Sequence, residues 1–201
     1  DYWVNTSSAE ARMQLAWAPR EVLVQVAEGL SRSGWRISAF DLPVVAMARL
    51  GRLAEAPESQ LIVELNPHEA NYVWSNHGEP SYLRTRISLG NQSPVEIVAA
   101  RRQISLATAE TALLRWGLDH NTVPALAELH EACLNDWLER LSYEIHRTLQ
   151  FIHNGLPVTT SPGVVLCGCG SDIRGLAEWL GKHLTAEVSV ANLPDHNPWL
   201  S

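Results

Sequence analysis

Residues 163–180 constrain the fold of this chain more than any other stretch. Val164, Val165, Leu166 and Cys167 form a short continuous apolar run, which suits a strand buried on both faces of a sheet. Gly168, Cys169, Gly170 and Ser171 follow. These small residues let the backbone turn sharply and leave room for a ligand. Ile173, Leu176, Ala177 and Leu180 then fall at helical spacing, with Ser171 or Asp172 placed to cap. A strand, glycine turn and helix in this order point backbone N–H groups and the positive helix end into the crevice above a sheet. An ordinary tight strand-to-helix connection of an α/β domain has the same local pattern.

The chain has 201 residues, enough for one sizeable or two small domains. A hydrophobic content of 46% and a charged content of 18% describe a folded globular chain. The net charge of −7 argues against a nucleic-acid binder, because no basic stripe is there to replace phosphate counterions. No apolar run approaches the ~20 residues that a bilayer span needs. Of three cysteines, two lie in Cys167-Gly168-Cys169, which is no disulfide framework. A reducing cytoplasm is the simplest compartment. The chain opens at Asp1 in mid-pattern and reads as a piece of a longer protein.

Residues 1–8 read as the end of something that began upstream. Residues 12–18 alternate, with Met13, Leu15 and Trp17 on one side, as in a half-buried strand. Pro19 opens a helix whose apolar face is Val22, Val26 and Leu30, with Leu23 and Ala27 beside them, and Gly34 ends it. Residues 35–40 read as a second strand, since Trp35, Ile37 and Ala39 alternate. Asp41 caps a short helix with Pro43 in its first turn and Val45, Met47 and Leu50 along it. Strand, helix, strand, helix is an α/β pattern.

After a polar connection at 51–58, three strands come in succession. Residues 60–65 are nearly all apolar, and residues 70–75 hold Tyr72, Val73 and Trp74. Asn76-His77-Gly78-Glu79 is a turn. Residues 81–89 alternate Tyr82, Arg84, Arg86 and Ser88 against Leu83, Thr85, Ile87 and Leu89, which predicts an antiparallel meander with one wet face. Residues 95–103 and 106–116 read as helices split near Ile104-Ser105. From Asn121-Thr122 onward Val123, Leu126, His130, Cys133 or Leu134, Trp137, Leu141, Ile145, Thr148 and Ile152 track one stripe, a helix of roughly thirty residues and about 45 Å. Asn154-Gly155 and Pro157 stop it. Residues 187–190 form a short strand before a tail containing Pro and Asn.

The order of these parts is informative. A strand-helix-strand tail leads to Asp41-Leu42-Pro43. A meander then ends in Arg84-Thr85-Arg86-Ile87-Ser88-Leu89-Gly90, and a long helix ends in Glu144-Ile145-His146-Arg147-Thr148-Leu149-Gln150-Phe151. Last comes Leu166-Cys167-Gly168-Cys169-Gly170-Ser171 with Gly175-Leu176. Nearly the whole chain resembles the actin-like ATPase fold of PilM-type pilus assembly proteins, with FtsA-type proteins and the cytoplasmic domain of GspL-type secretion proteins as more distant relatives. The resemblance implies an α/β fold: an actin-like, ribonuclease H-like mixed sheet with an antiparallel meander and flanking helices, incomplete at its amino end. Residues 1–38 then correspond to the rear part of a small inserted (SHS2-like) subdomain, 39–58 to a connecting helix of the first lobe, and 59–201 to the second lobe.

The resemblance also implies where a nucleotide would lie. The family's Asp-x-Gly phosphate turn corresponds to Glu64-Leu65-Asn66-Pro67-His68. There the acid is one carbon longer, Asn66 carries a side chain, and Pro67 lacks an N–H. The family's Ala-Glu-x-x-Lys helix corresponds to Ala109-Glu110-Thr111-Ala112-Leu113, with Leu113 in place of lysine. The double glycine after the meander is Gly90-Asn91, and the adenosine loop is Gly168-Cys169-Gly170-Ser171. Candidate nucleotide contacts are therefore Asn66, Gly90, Glu110, Gly168, Cys169, Gly170 and Ser171. The cofactor is ATP with Mg²⁺ or none.

Other readings of the reactive residues compete. A zinc site needs four ligands, and beyond Cys167 and Cys169 only Cys133 remains, on the apolar stripe of the long helix. Cys169 as a nucleophile needs a base, and none can be named. His146 and His153 share a helix face as surface groups. Glu64 is the single carboxylate that is a candidate for chemistry, against the plainer role of a strand-end acid. Trp17, Trp74 and Trp137 belong to the core, and Trp3 and Trp199 are placed to pack on further parts or partners.

Function follows from the resemblance as an expectation. The chain is expected to be a cytoplasmic scaffold of a type IV pilus or type II secretion-like inner-membrane assembly with a degenerate nucleotide site, and whether it is an enzyme stays open. It would be held at the membrane by a short peptide of a membrane-anchored partner. The alternative is an ATP-binding switch whose lobes close on nucleotide and change partner affinity.

Overall fold

The computed structural model describes residues 2–5, 12–15, 18–53, 59–156, 163–184 and 186–191. The chain divides into two compact units, Asp1–Ala46 and Met47–Ser201. In the first, β1 (Tyr2–Asn5) pairs antiparallel with β2 (Arg12–Leu15), with Tyr2 opposite Leu15. Helix α1 (Arg20–Arg32) begins directly after Pro19. It closes where the N–H groups of Gly34 and Trp35 donate back to the carbonyls of Ser31 and Leu30, each at 3.0 Å.

Two expectations fail in this unit. Val22, Val26 and Leu30 are exposed, and the less exposed side of α1 is instead that of Leu23 and Ala27. Residues 35–40 form no strand: they have no regular structure, and Trp35 stays 71% exposed. Alternation describes one edge of a ladder, and a strand also needs a neighbour to accept its backbone hydrogen bonds. Asp41 does act at a helix start, its carboxylate accepting the N–H of Leu42 at 2.8 Å. Helix α2 (Pro43–Leu53) follows. Trp17, Trp199 and Pro157 lie outside the described residues.

The second unit is built on a five-stranded mixed sheet in the order β5-β4-β3-β6-β7. Its strands are β3 (Ser59–Leu65), β4 (Glu69–Asn76), β5 (Glu79–Ser88), β6 (Gly163–Cys167) and β7 (Val188–Val190). The first three form an antiparallel meander, and β6 adds parallel to β3 with β7 parallel to β6. The β4–β5 turn holds His77 at φ 52° and Gly78 at φ 78°, the two left-handed residues of a two-residue hairpin loop.

Successive residues of a strand face opposite sides, and both sides of this sheet are buried. Leu61, Val63, Leu65, Tyr72, Trp74 and Leu166 face a core filled by helices α3 (Pro94–Arg102), α4 (Leu106–Arg115), α5 (Pro124–Gly155) and α6 (Leu176–Leu184). Ile62, Val73 and Val165 are buried on the other side. There the Ser75 hydroxyl donates to the carbonyl of Ala48 in α2 at 2.9 Å. Helix α5 has 32 residues, and its buried positions include His130, Cys133, Leu134, Trp137, Leu141, Ile145, Thr148 and Ile152, the stripe read from the sequence.

The expected wet face of β5 is wet only in part: Arg86 and Ser88 are exposed, but Tyr82 and Arg84 turn inward. Tyr82 stacks on Phe151 of α5 with ring centroids 4.6 Å apart. Arg84 reaches the Glu144 carboxylate at 2.6 Å and the Thr148 hydroxyl at 2.6 Å, and its guanidinium lies 5.5 Å from the Tyr72 ring centre. A bulge between Ala70 and Tyr72 shifts the register, with Arg86 at φ 56° and its N–H donating to the Asn71 side chain at 2.8 Å. Beyond that bulge Ile87 also packs on the core, like Tyr82 before it. An extra residue reverses the phase of a strand, so a single alternation could not describe all of β5.

The Arg84–Glu144 pair is mostly buried, with side chains 16% and 12% exposed. Removing one partner leaves the other charge uncompensated. Glu144→Ala should therefore lower the unfolding free energy in urea at neutral pH by about 3 kcal/mol. The paired replacement Arg84→Met with Glu144→Leu should recover most of that loss. Equal losses in the single and the paired variants would show that the ion pair is not what holds β5 to α5.

Candidate functional site at the carboxyl ends of β3 and β6

Strands β3 and β6 run parallel in register, with Glu64 opposite Cys167, so both chains bend at the same level. The two bends touch. A Cβ placed on Gly168 would sit 2.7 Å from the Leu65 carbonyl oxygen, and one on Gly170 would sit 2.8 Å from Leu65 Cβ. Gly168 also has φ +84°, a conformation that costs little only for glycine. Next comes a short 3-10 turn, Cys169–Asp172. Ser171 closes it, its N–H and hydroxyl both donating to the Gly168 carbonyl at 3.0 and 2.7 Å. The expected cap of α6 by Ser171 or Asp172 is therefore not made, since α6 starts only at Leu176.

A cavity of about 170 Å³ opens beside this turn. The structure brings four of the candidate residues to it: Asn66, Glu110, Cys169 and Gly170. Pro67, Ser93, Pro94 and Val95 complete one side, and Leu113, Leu114 and Ile173 the other. Ser93 caps α3 through a reciprocal pair of bonds: its hydroxyl accepts the Glu96 N–H at 3.3 Å and its own N–H donates to the Glu96 carboxylate at 2.7 Å. Those bonds hold the Glu96 carboxyl below its ordinary range. The N–H of Asn66 donates to the Glu69 carbonyl at 2.9 Å. Leu113 is 1% exposed.

The remaining candidates sit elsewhere. Gly168 and Ser171 build the turn. Gly90 lines a separate cavity of about 280 Å³ with Arg101, Trp137 and Arg140. Glu64 lies on the sheet face opposite the α3–α6 core, where its carboxylate accepts from the side-chain amides of Asn71 at 2.6 Å and Asn66 at 3.4 Å. Beside it, burial and then the Glu64 charge push the Cys167 thiol up to about 11. Cys169 is exposed, and its thiol donates to the Leu65 carbonyl at 3.6 Å. His146 and His153 are both exposed on α5.

Sequence reading missed a larger cavity, about 600 Å³ between the α4–α5 connection and α6. Asp119 there accepts from the Thr122 hydroxyl at 2.5 Å, the Asn121 N–H at 2.9 Å and Arg174 at 2.8 Å. The same three bonds, in that order, lower its carboxyl to about 2. Glu131 accepts from the Trp179 indole at 2.7 Å and lies 3.1 Å from His120 Nε2, and Trp179 stacks on His183. These polar groups satisfy one another. The one sequence signal for them was Asp119-His120-Asn121-Thr122, a side-chain turn before Pro124.

The fold is that of the actin-like ATPases. The chain is similar over its full length to the structure of a PilM–PilN type IV pilus biogenesis complex, with a TM-score of 0.68, 22% identity and 56% of that chain covered. It is also similar to MreB5 of Spiroplasma citri bound to ADP, with a TM-score of 0.59, 17% identity, and 86% and 60% of the two chains covered. A third likeness is to the ethanolamine utilization protein EutJ from Carboxydothermus hydrogenoformans, with a TM-score of 0.53, 15% identity, and 74% and 49% covered. The chain thus spans about half to three fifths of the length of these structures. No protein-family model matches the sequence, and no curated protein matches it.

Gly168→Ala should cost about 2 kcal/mol or more of stability, because it combines strain at positive φ with a backbone clash. A loss under about 0.5 kcal/mol in a urea titration would show that the two bends are not packed as described. A thiol held to about 11 is about one part in a thousand thiolate at pH 8. Iodoacetamide labelling of Cys167 in the folded protein should therefore rise about tenfold per pH unit toward pH 11, read by peptide mass spectrometry. A plateau reached by pH 9 would contradict the raised value.

Proposed function

We propose that this chain is part of a scaffold component of a type IV pilus or type II secretion-like inner-membrane assembly, and that its nucleotide site is degenerate. The observation that carries the proposal is the full-length likeness to the structure of a PilM–PilN complex. In this reading residues 59–201 are the second lobe of an actin-like protein, 39–58 a connecting helix of the first, and 1–38 the rear part of the inserted subdomain. The protein then works at the cytoplasmic face of the inner membrane, held by a short peptide of a PilN-like anchored partner. None of its described helices is long and apolar enough to cross a membrane.

The residues of this chain do not fit a magnesium triphosphate. Phosphate sites rely on free backbone N–H groups and cations. At this cavity the Asn66 and Ser93 N–H groups are already bonded within the chain, and Pro67 and Pro94 have none. The lining contains Glu110 and no lysine, arginine or histidine. The family's lysine position is Leu113, whose side chain belongs to the core. The likeness to MreB5 bound to ADP favours the second reading, an ATP-binding switch.

Isothermal titration of the protein with Mg-ATP separates the two. No heat is expected at millimolar ATP. A dissociation constant below about 100 μM, near −5.5 kcal/mol, would replace the scaffold reading by the switch. Co-purification with the amino-terminal cytoplasmic peptide of a PilN-like partner tests the assembly role, and its failure with a folded protein would remove that role.

A further inference from the structure

The cavity beside Gly170 has a size and charge of its own. Its volume of about 170 Å³ falls below the ~300–1,000 Å³ of small-molecule and cofactor sites. It is instead the scale at which one anchoring side chain fills a pocket at a protein interface. Pro67, Pro94, Val95, Leu113, Leu114 and Ile173 make its walls apolar. Leu114 is 48% exposed and extends the apolar wall outward.

Glu110 is the one charged residue in the lining of this pocket. Glu110 is exposed, and no described residue bonds it or pairs with it. Residues three apart on a helix are neighbours, so a cation at position 113 would offset the Glu110 charge, and Leu113 does not. Glu96 lies outside the lining, its carboxylate accepting the Ser93 N–H and standing 3.9 Å from His68 Nε2.

We propose that this pocket receives an aliphatic or aromatic side chain from a partner segment that carries lysine or arginine next to that anchor. The occupancy rests on the reading given above, in which nucleotide does not claim the same space. The apolar walls supply the affinity through burial, and Glu110 selects the sign of the flanking charge.

Three tripeptide probes and Mg-ATP test it by amide NMR shifts of the protein at Val95, Leu114 and Gly170. The probes are acetyl-Lys-Phe-Lys-amide, acetyl-Glu-Phe-Glu-amide and acetyl-Lys-Gly-Lys-amide. The first should saturate in the millimolar range, and each of the others should bind about threefold to fivefold more weakly at low salt. Glu110→Lys, an exposed substitution, should invert the preference between the two phenylalanine peptides. Binding that ignores the sign of the flanks, or that survives loss of the ring, overturns the proposal, as does silence of all three peptides. If ATP is silent too, the degenerate-site reading still stands. Sub-millimolar shifts with Mg-ATP at these amides would remove both.

Discussion

The parallel pairing of β3 with β6 is the constraint from which the rest of the second unit follows. It brings two strands distant in sequence to end at one level, Glu64 beside Cys167. The chain must leave both strands within a few ångströms of the same point. Only a turn without side chains on its inner side can do so, because the Leu65 backbone occupies the space of a Cβ at Gly168. The glycines of this turn are thus explained within the chain, by close packing and a left-handed backbone. Glycine spacing alone would leave that cause indistinguishable from a ligand-driven one.

A second close approach fixes what lies behind that turn. The Arg174 N–H donates to the Leu113 carbonyl at 3.2 Å, and the Leu118 N–H donates to the Arg174 carbonyl at 2.7 Å. A Cβ on Gly117 would lie 2.2 Å from the Arg174 carbonyl oxygen. The end of α4 is therefore stitched to the segment before α6. Leu113 and Ile173 on this seam line the smaller cavity, and Leu118 and Arg174 line the larger one. Leucine at position 113 thus completes the core and lines the smaller cavity at once.

Much of this was legible in the sequence where one physical cause dominated. The α5 stripe reports burial along a single face, with Pro124 at the helix start, and Gly78 marks the β4–β5 turn, where His77 rather than Asn76 takes the other positive φ. Features that depend on a distant partner were not legible. Residues 35–40 alternate as a strand would, but no described strand pairs with them. In β5 an Asn71 side chain holds Arg86 in a bulge, and Arg84 turns inward because Glu144 and Thr148 await it sixty and more residues away. Of the site, the convergence of Asn66, Glu110, Cys169 and Gly170 followed from the order of elements. The placement of Gly90 at another cavity depends on the path of the loop into α3, which no local pattern encodes.

The balance of charge at the cavity decides what such a site can hold, independently of its fold. Two charges about 5 Å apart interact by roughly 3 kcal/mol at an effective dielectric of 20. Glu110 is exposed, so solvent screens its interactions to about 1 kcal/mol or less. A main-chain framework can stay unchanged while one side chain reverses the class of ligand it favours. Leucine is better suited than lysine to a position that is 1% exposed. Core packing alone accounts for leucine at this residue.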